Sequence, residues 1–213
     1  MLSRPQRPEI AHRTMKLIVG LIALTLANLT SFFAQTAITS ISASYYEGGW
    51  SQVIFVGFLF AISTFLLAYN GYSTSQMLLS KAAAIAGVCI ALFPCGCDSH
   101  AEIVPHVHAA AAAVMFGILA YFCYIFYGRA QAKGHAEAKR RALIYGVCGL
   151  VIVVAILTLA VDSFTNGVIS ARVPRLTFYG EKYSLIAFAV SWLTASHCLP
   201  VITTKTERFS PLR

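Results

Sequence analysis

Apolar residues fill six long stretches of the chain, and most polar residues lie between them. The stretches cover residues 17–39, 52–70, 82–97, 107–127, 142–162 and 183–204. Most of them hold the roughly 20 residues that an α-helix needs to cross about 30 Å of hydrocarbon. The pattern predicts an all-α, polytopic transmembrane helix bundle of six spans, which forms a single domain over residues 1–213.

The third stretch is the shortest of the six. Lys81 stands at its start and Pro94 lies near its end. A lysine at a membrane boundary can extend its ammonium group to the interface while its methylene groups stay in apolar surroundings. We therefore expect the helix to begin before Lys81 and to include residues 77–79.

The composition supports a membrane protein. Hydrophobic residues make up 58% of the chain and charged residues 11%, and the mean hydropathy is +0.71. A soluble domain carries about 25% charged residues, and a soluble fold of this size cannot bury so much apolar surface. The composition excludes the water-soluble, disordered and fibrous classes.

The basic residues predict the orientation. Thirteen of the sixteen Lys and Arg residues lie on one side of the predicted spans: Arg4, Arg7, Arg13, Lys16, Lys81, Arg129, Lys133, Lys139, Arg140, Arg141, Lys205, Arg208 and Arg213. Excess Lys and Arg marks the cytoplasmic face of a membrane protein. We expect both termini to be cytoplasmic, which agrees with an even number of spans. The net charge of +8 then needs no nucleic-acid partner, because it fits attraction to anionic membrane lipids.

The outer side of the predicted bundle collects acids, imidazoles and hydroxyls. They are Ser40, Ser42, Tyr45, Tyr46, Glu47, Asp98, His100, Glu102, His106, His108, Asp162 and Glu181. One interpretation is the usual preference of polar residues for the membrane interface. The other is a functional site at this face, since ionisable residues in a membrane protein often mark one.

A metal site is the more specific version of a functional site at this face. Residues 95–108 hold two thiols, three imidazoles and two carboxylates, which are ligand types that zinc takes. Their spacing matches no compact zinc signature. The candidate ligands are His108, His106, His100 and Asp98, and the candidate general bases are Glu181 and Glu47. Zinc would lower the pKa of a bound water towards about 7. Independently of a metal, we expect Glu181 to contact a neutral His108.

Cys95 and Cys97 favour a third class of function, a thiol redox protein. They lie at the predicted outer end of the third span, where an oxidising compartment would let them form a disulfide. A thiol oxidase would need a second exposed pair, and the sequence places no other cysteine on that side.

Short motifs along the chain resemble an uncharacterised family of bacterial six-span membrane proteins over roughly residues 40–195. They are Ser40-Ile-Ser-Ala-Ser-Tyr-Tyr46, Phe55-Val-Gly57, Tyr69-Asn-Gly-Tyr72, Ala91-Leu-Phe-Pro94, His108, Arg141-Ala-Leu-Ile-Tyr-Gly146, Glu181 and Phe188-Ala-Val-Ser-Trp-Leu193. Where the family pattern has an Arg-Asp pair, this chain has Ser51 and Gln52. The resemblance implies the fold and a membrane, and it implies no reaction. We expect that membrane to be the bacterial inner membrane.

In the types of polar residue at one membrane face, the chain is also distantly similar to the ceramidase and adiponectin-receptor type of membrane zinc hydrolases. That similarity implies catalytic parts for Ser42, Asp98 and His108. The chain lacks the seventh span and the His-x-x-x-His pair of those enzymes.

Three hypotheses result: an accessory protein that binds a lipid or a membrane-protein partner, a metal-dependent lipid hydrolase, and a thiol redox protein. The accessory protein is the main expectation.

Overall fold

The computed structural model describes residues 12–97 and 100–209. In these residues the chain forms α-helices, one short 3₁₀ turn and no β-strand. The helices are α1 (His12–Phe33), α2 (Ser44–Glu47), α3 (Gly49–Ala68), α4 (Thr74–Leu92), α5 (Val107–Lys133), α6 (Ala136–Phe164) and α7 (Leu176–Ala195). The 3₁₀ turn spans Pro200–Ile202.

Five of the described helices, α1, α3, α4, α5 and α6, are long and apolar enough to cross a membrane. The described residues confirm the predicted all-helical fold, and the five apolar helices fit a multi-pass membrane protein. Helix α7 has a similar length of 20 residues, but Glu181 and Lys182 in its second turn make it less apolar.

The six long helices pack as a closed ring. Each contacts the next along the chain, and α7 returns to contact α1. Helix α7 also contacts α5 across the ring. Large side chains fill the centre, among them Trp192, Phe188, Phe122 and Leu119, each 0% exposed. Helix α6 presents apolar residues such as Leu157, 58% exposed, to the outside, as expected of a surface that faces lipid.

The start of α4 confirms the expected extension before Lys81. The helix begins at Thr74, where the Ser73 side chain accepts the backbone N–H of Gln76 at 3.3 Å. This bond satisfies a donor that the first helical turn leaves free. The Lys81 ammonium group donates to the carbonyl oxygen of Leu67 at 2.9 Å, so the lysine lies within the helix and bonds the end of α3.

Several predicted boundaries are wrong by more than five residues, and those of α1 and α7 matter for the site. Helix α1 ends at Phe33 rather than at residue 39. Helix α7 spans Leu176–Ala195 rather than residues 183–204. It ends early because His197 has a left-handed backbone with φ of 61°, which an α-helix does not continue. Glu181 therefore lies inside α7 and not before it.

Candidate functional site

Residues 34–43 connect α1 to α2 and fold into the end of the bundle where α5 and α7 begin. The backbone N–H of Phe178 donates to the carbonyl oxygen of Thr39 at 3.0 Å. The Arg175 side chain donates to the carbonyl oxygen of Ile38 at 2.8 Å. These bonds tie the loop to the start of α7, and Ile38 itself is only 2% exposed.

The Glu181 carboxylate holds the middle of this loop. Its Oε2 accepts the backbone N–H of Ile41 at 2.5 Å and that of Ser42 at 3.4 Å. Its Oε1 accepts the Ser42 hydroxyl at 2.8 Å. Ile41 and Ser42 are buried, and buried N–H groups need an acceptor. The second turn of α7 supplies that acceptor, so the position of Ser42 depends on Glu181.

His108 approaches the same hydroxyl from the first turn of α5. The side chain is buried, and its Nε2 lies 3.0 Å from Ser42 Oγ. Its Nδ1 lies 2.7 Å from the carbonyl oxygen of Phe93. A carbonyl oxygen only accepts, so Nδ1 carries a proton. In the neutral imidazole, Nε2 then presents its lone pair to Ser42.

The Ser42 hydroxyl has one proton and lies between two groups that can each exchange one. In one arrangement Ser42 donates to the ionised Glu181 and accepts from a protonated His108. In the other it donates to a neutral His108 and accepts from a protonated Glu181. Both arrangements carry the same total charge and satisfy the three side chains. The three residues therefore form a proton-sharing unit.

A cavity of about 340 Å³ opens onto this unit. Polar groups line one part of it, including Ser42, His108 and Glu181. Most other lining residues are apolar side chains of α5 and α6, such as Phe116 and Ile156. A mostly apolar pocket with a few convergent polar groups is the usual form of a small-molecule site. This one fits an apolar ligand that carries a polar, reactive group.

Glu181 and His108 lie close together as expected, but they meet through Ser42 rather than directly. Glu47, the other candidate base, lies elsewhere and holds the start of the loop. Its carboxylate accepts the N–H groups of Gln35 and Thr36 at 2.7 and 3.1 Å. The hydroxyl of Thr36 makes a further bond to it. The Thr36 bond contributes most to lowering the pKa of Glu47, and burial opposes the shift.

The structure does not bring the other candidate metal ligands to His108. His100 stacks on Tyr46 with ring centres 3.8 Å apart. The backbone N–H of His106 donates to Glu102 at 2.6 Å. Across residues 12–97 and 100–209, no three His, Cys, Asp or Glu side chains form a group that could hold a metal ion. Asp98 lies outside the described residues.

Cys95 and Cys97 form a disulfide, as the redox hypothesis requires, and both line the cavity beside His108. Cys97 Sγ lies 3.5 Å from Ser40 Oγ, and the Tyr46 hydroxyl donates to the Cys95 carbonyl oxygen at 2.7 Å. The bridge thus fixes the segment that follows α4 against the loop that carries Ser42.

Two parts of the site were not predicted: the Phe93 carbonyl group and the backbone N–H groups of residues 41 and 42. Backbone groups leave no mark in a list of side chains. Pro94 was the one available signal, because a helix ends before proline and its last carbonyl groups then lack helical partners. The Phe93 carbonyl is one of these groups, and His108 satisfies it.

In comparisons with protein-family models, curated proteins and solved structures, nothing matches this chain. The resemblance to bacterial six-span proteins therefore stays a prediction from the motifs.

Proposed function

We propose that the protein is a membrane-embedded hydrolase that cleaves an acyl bond in a lipid, with Ser42 as the nucleophile. The observation that carries this proposal is the 3.0 Å contact between Ser42 Oγ and His108 Nε2, together with the bond that orients His108 through Phe93. A hydroxyl within reach of a base that a third group orients is the usual sign of an activated nucleophile.

In the proposed reaction, His108 accepts the hydroxyl proton while Ser42 Oγ attacks the carbonyl carbon of the substrate. The same imidazole then donates that proton to the leaving group. Water, activated by His108, hydrolyses the resulting acyl-serine and regenerates the hydroxyl group. Glu181 is a positioning residue, because its carboxylate bonds the Ser42 hydroxyl and the backbone N–H groups of Ile41 and Ser42.

The lining of the cavity supports a lipid as the substrate class. Its apolar walls on α5 and α6 suit an acyl chain, while the ester or amide group would lie beside Ser42. This proposal keeps the lipid substrate of the alternative hydrolase hypothesis, but it assigns the first chemical step to serine and histidine in place of a metal-bound water. An accessory protein that binds a lipid in the same cavity, or a membrane-protein partner, without reaction is the competing proposal.

We also propose six spans in the bacterial inner membrane, with α7 as the sixth and both termini in the cytoplasm. Helix α7 has 20 residues, about 30 Å at 1.5 Å per residue. It is enclosed by α1 and α6, so Glu181 and Lys182 do not both have to face lipid. The excess of basic residues at one end supports the orientation.

Hydrolysis of fluorogenic acyl esters by the protein in phosphatidylcholine vesicles tests the proposed activity. We expect turnover that increases with acyl chain length and is lost in Ser42→Ala and His108→Gln. Ser44→Ala is the matched control, because Ser44 lies in the next turn and its buried hydroxyl has no described partner. Turnover that Ser42→Ala retains in full would overturn the proposal, and no turnover with retained lipid binding would favour the accessory protein.

The disulfide supports thiol redox chemistry as a second candidate, because Cys95 and Cys97 line the same cavity. Such chemistry would reduce the bridge to two thiols by transfer of two electrons and two protons from an external dithiol. Thiol trapping in intact cells tests it: a mixture of oxidised and reduced protein is expected of a redox relay. A pair that stays fully oxidised under dithiol stress would contradict it.

A further inference from the structure

A second pocket lies at the opposite end of the bundle from Ser42, where α1 and α6 begin and α5 ends. Its volume is about 470 Å³. Five cationic side chains from three helices line it: Arg13, Lys16, Arg129, Lys133 and Arg141. We call this site the basic pocket. Because three separate helices contribute, the cluster is not the charged face of one helix.

Lys16 is the decisive residue of the basic pocket. It is 4% exposed, and its ammonium group makes no hydrogen bond or ion pair within the described part of the chain. Its ammonium group lies 4.8 Å from the ring centre of Phe126 and 5.5 Å from those of Tyr69 and Tyr72. Ring contacts offset part of the cost of burying a cation, and an anion bound in the pocket would supply the charged partner that the Lys16 ammonium group lacks among the described residues.

Among residues 12–97 and 100–209, the acidic groups near the basic pocket do not balance its cations. In the described residues, Glu207 pairs with Lys133 at 2.5 Å and with Arg141 at 2.9 Å. Neither Lys16 nor Arg129 pairs with any described carboxylate. The Arg129 guanidinium group lies over the Tyr72 ring instead, 4.4 Å from its centre. The pocket therefore retains a large positive charge.

His197 lies in the wall of the basic pocket, where burial and the positive charge both contribute to its lowered pKa. Burial, and then the positive charges of Arg141 and Arg13, lower its pKa to about 4. Its Nδ1 is buried and has no hydrogen-bond partner in the described residues. The wall of the basic pocket thus also holds a buried polar atom without a described partner.

We infer that the basic pocket binds a phosphate group, carried either by an anionic lipid headgroup or by a soluble phosphate ester. Arginine guanidinium groups match the geometry of phosphate oxygens, and lysine adds a point charge. The volume exceeds that of inorganic phosphate and leaves room for the group that carries it. The inference rests on residues that are separate from the proposed hydrolase site.

Thermal unfolding of the full-length protein in a neutral detergent tests the inference at constant ionic strength. One arm titrates inorganic phosphate against chloride, and the other titrates short-chain phosphatidic acid against short-chain phosphatidylcholine. We expect at least one phosphate-bearing probe to raise Tm in a saturable way. Lys16→Met and Arg129→Gln should weaken its apparent affinity by at least about tenfold, because each removes a direct cation–phosphate contact.

Lys139→Gln is the matched control, because it removes an exposed cation of the same end that does not line the basic pocket. Ser42→Ala tests independence from the other site, and both controls should bind like the wild type. Stabilisation by phosphatidic acid alone identifies a lipid headgroup, and stabilisation by inorganic phosphate too identifies a site open to soluble phosphates.

Two results would overturn the inference: no probe raises Tm, or Lys139→Gln weakens binding as much as Arg129→Gln does. If Lys16→Met does not fold, Arg129→Gln still decides the matter, because Arg129 is partly exposed at the pocket and its loss leaves the core intact.

Discussion

Removal of the Glu181 carboxylate should destabilise the protein far more than removal of an ordinary acidic residue. Glu181 makes two short hydrogen bonds, to the N–H of Ile41 and to the hydroxyl of Ser42. In the arrangement with Glu181 ionised, each bond to the charged group contributes about 1.5–3 kcal/mol, so Glu181→Ala should cost about 3–6 kcal/mol. In a protein of this size, about 2–4 °C per kcal/mol gives a fall in Tm of at least about 6 °C.

Thermal unfolding in detergent, followed by intrinsic fluorescence, measures this fall. Glu181→Gln should lose roughly half as much, because its amide oxygen still accepts the backbone N–H groups. Glu137→Ala is the control, since that carboxylate lies at the other end of the bundle with its side chain 38% exposed, and its loss should lower Tm far less than Glu181→Ala does. A fall of less than about 2 °C for Glu181→Ala would mean that Glu181 does not hold the loop, and would refute the reasoning.

Three further predictions concern the remainder of the bundle. Burial raises the pKa of Glu207, but the Lys133 hydrogen bond and nearby charge outweigh it and lower that pKa from 4.5 to about 2. Glu207→Gln should therefore reduce stability above pH 4.5, and the difference from the wild type should vanish as the pH falls towards 2; a constant difference would contradict this. Gly20→Val should destabilise by about 1–3 kcal/mol, because a Cβ there would lie 2.8 Å from Leu193 Cγ, whereas Gly57→Val, with nothing within 4 Å, should not. A phosphatase reporter fused after Lys133 should stay inactive, and activity there would place that loop outside the cytoplasm.

The helical fold could be predicted because long apolar stretches have few alternatives in a membrane. The ends of the helices were less predictable, since Thr36 and Thr39 look like a continuation of α1 until the loop bonds to α7. The low hydropathy at Glu181 and Lys182 moved the predicted start of α7 seven residues too late. A helix enclosed by others accepts such residues when partners satisfy them, and sequence does not show those partners.

The candidate site was predicted in its members and not in its arrangement. Ser42, His108 and Glu181 stood among a dozen polar residues of one face. The metal interpretation grouped His108 with nearby imidazoles because ligand types were the available signal. The structure pairs it with Ser42, which is distant in sequence, and with a backbone carbonyl group. Tertiary pairing of this kind depends on helix packing, which the chain order alone does not give.

The reactivity of Ser42 tests the central claim most directly. The full-length protein is incubated with an alkyl fluorophosphonate, and the adduct is located by mass spectrometry of its peptides. We predict one adduct per chain on Ser42, its loss in His108→Gln, and its retention in Ser44→Ala. No adduct on Ser42, or an unchanged rate of labelling in His108→Gln, would contradict an activated Ser42–His108 nucleophile.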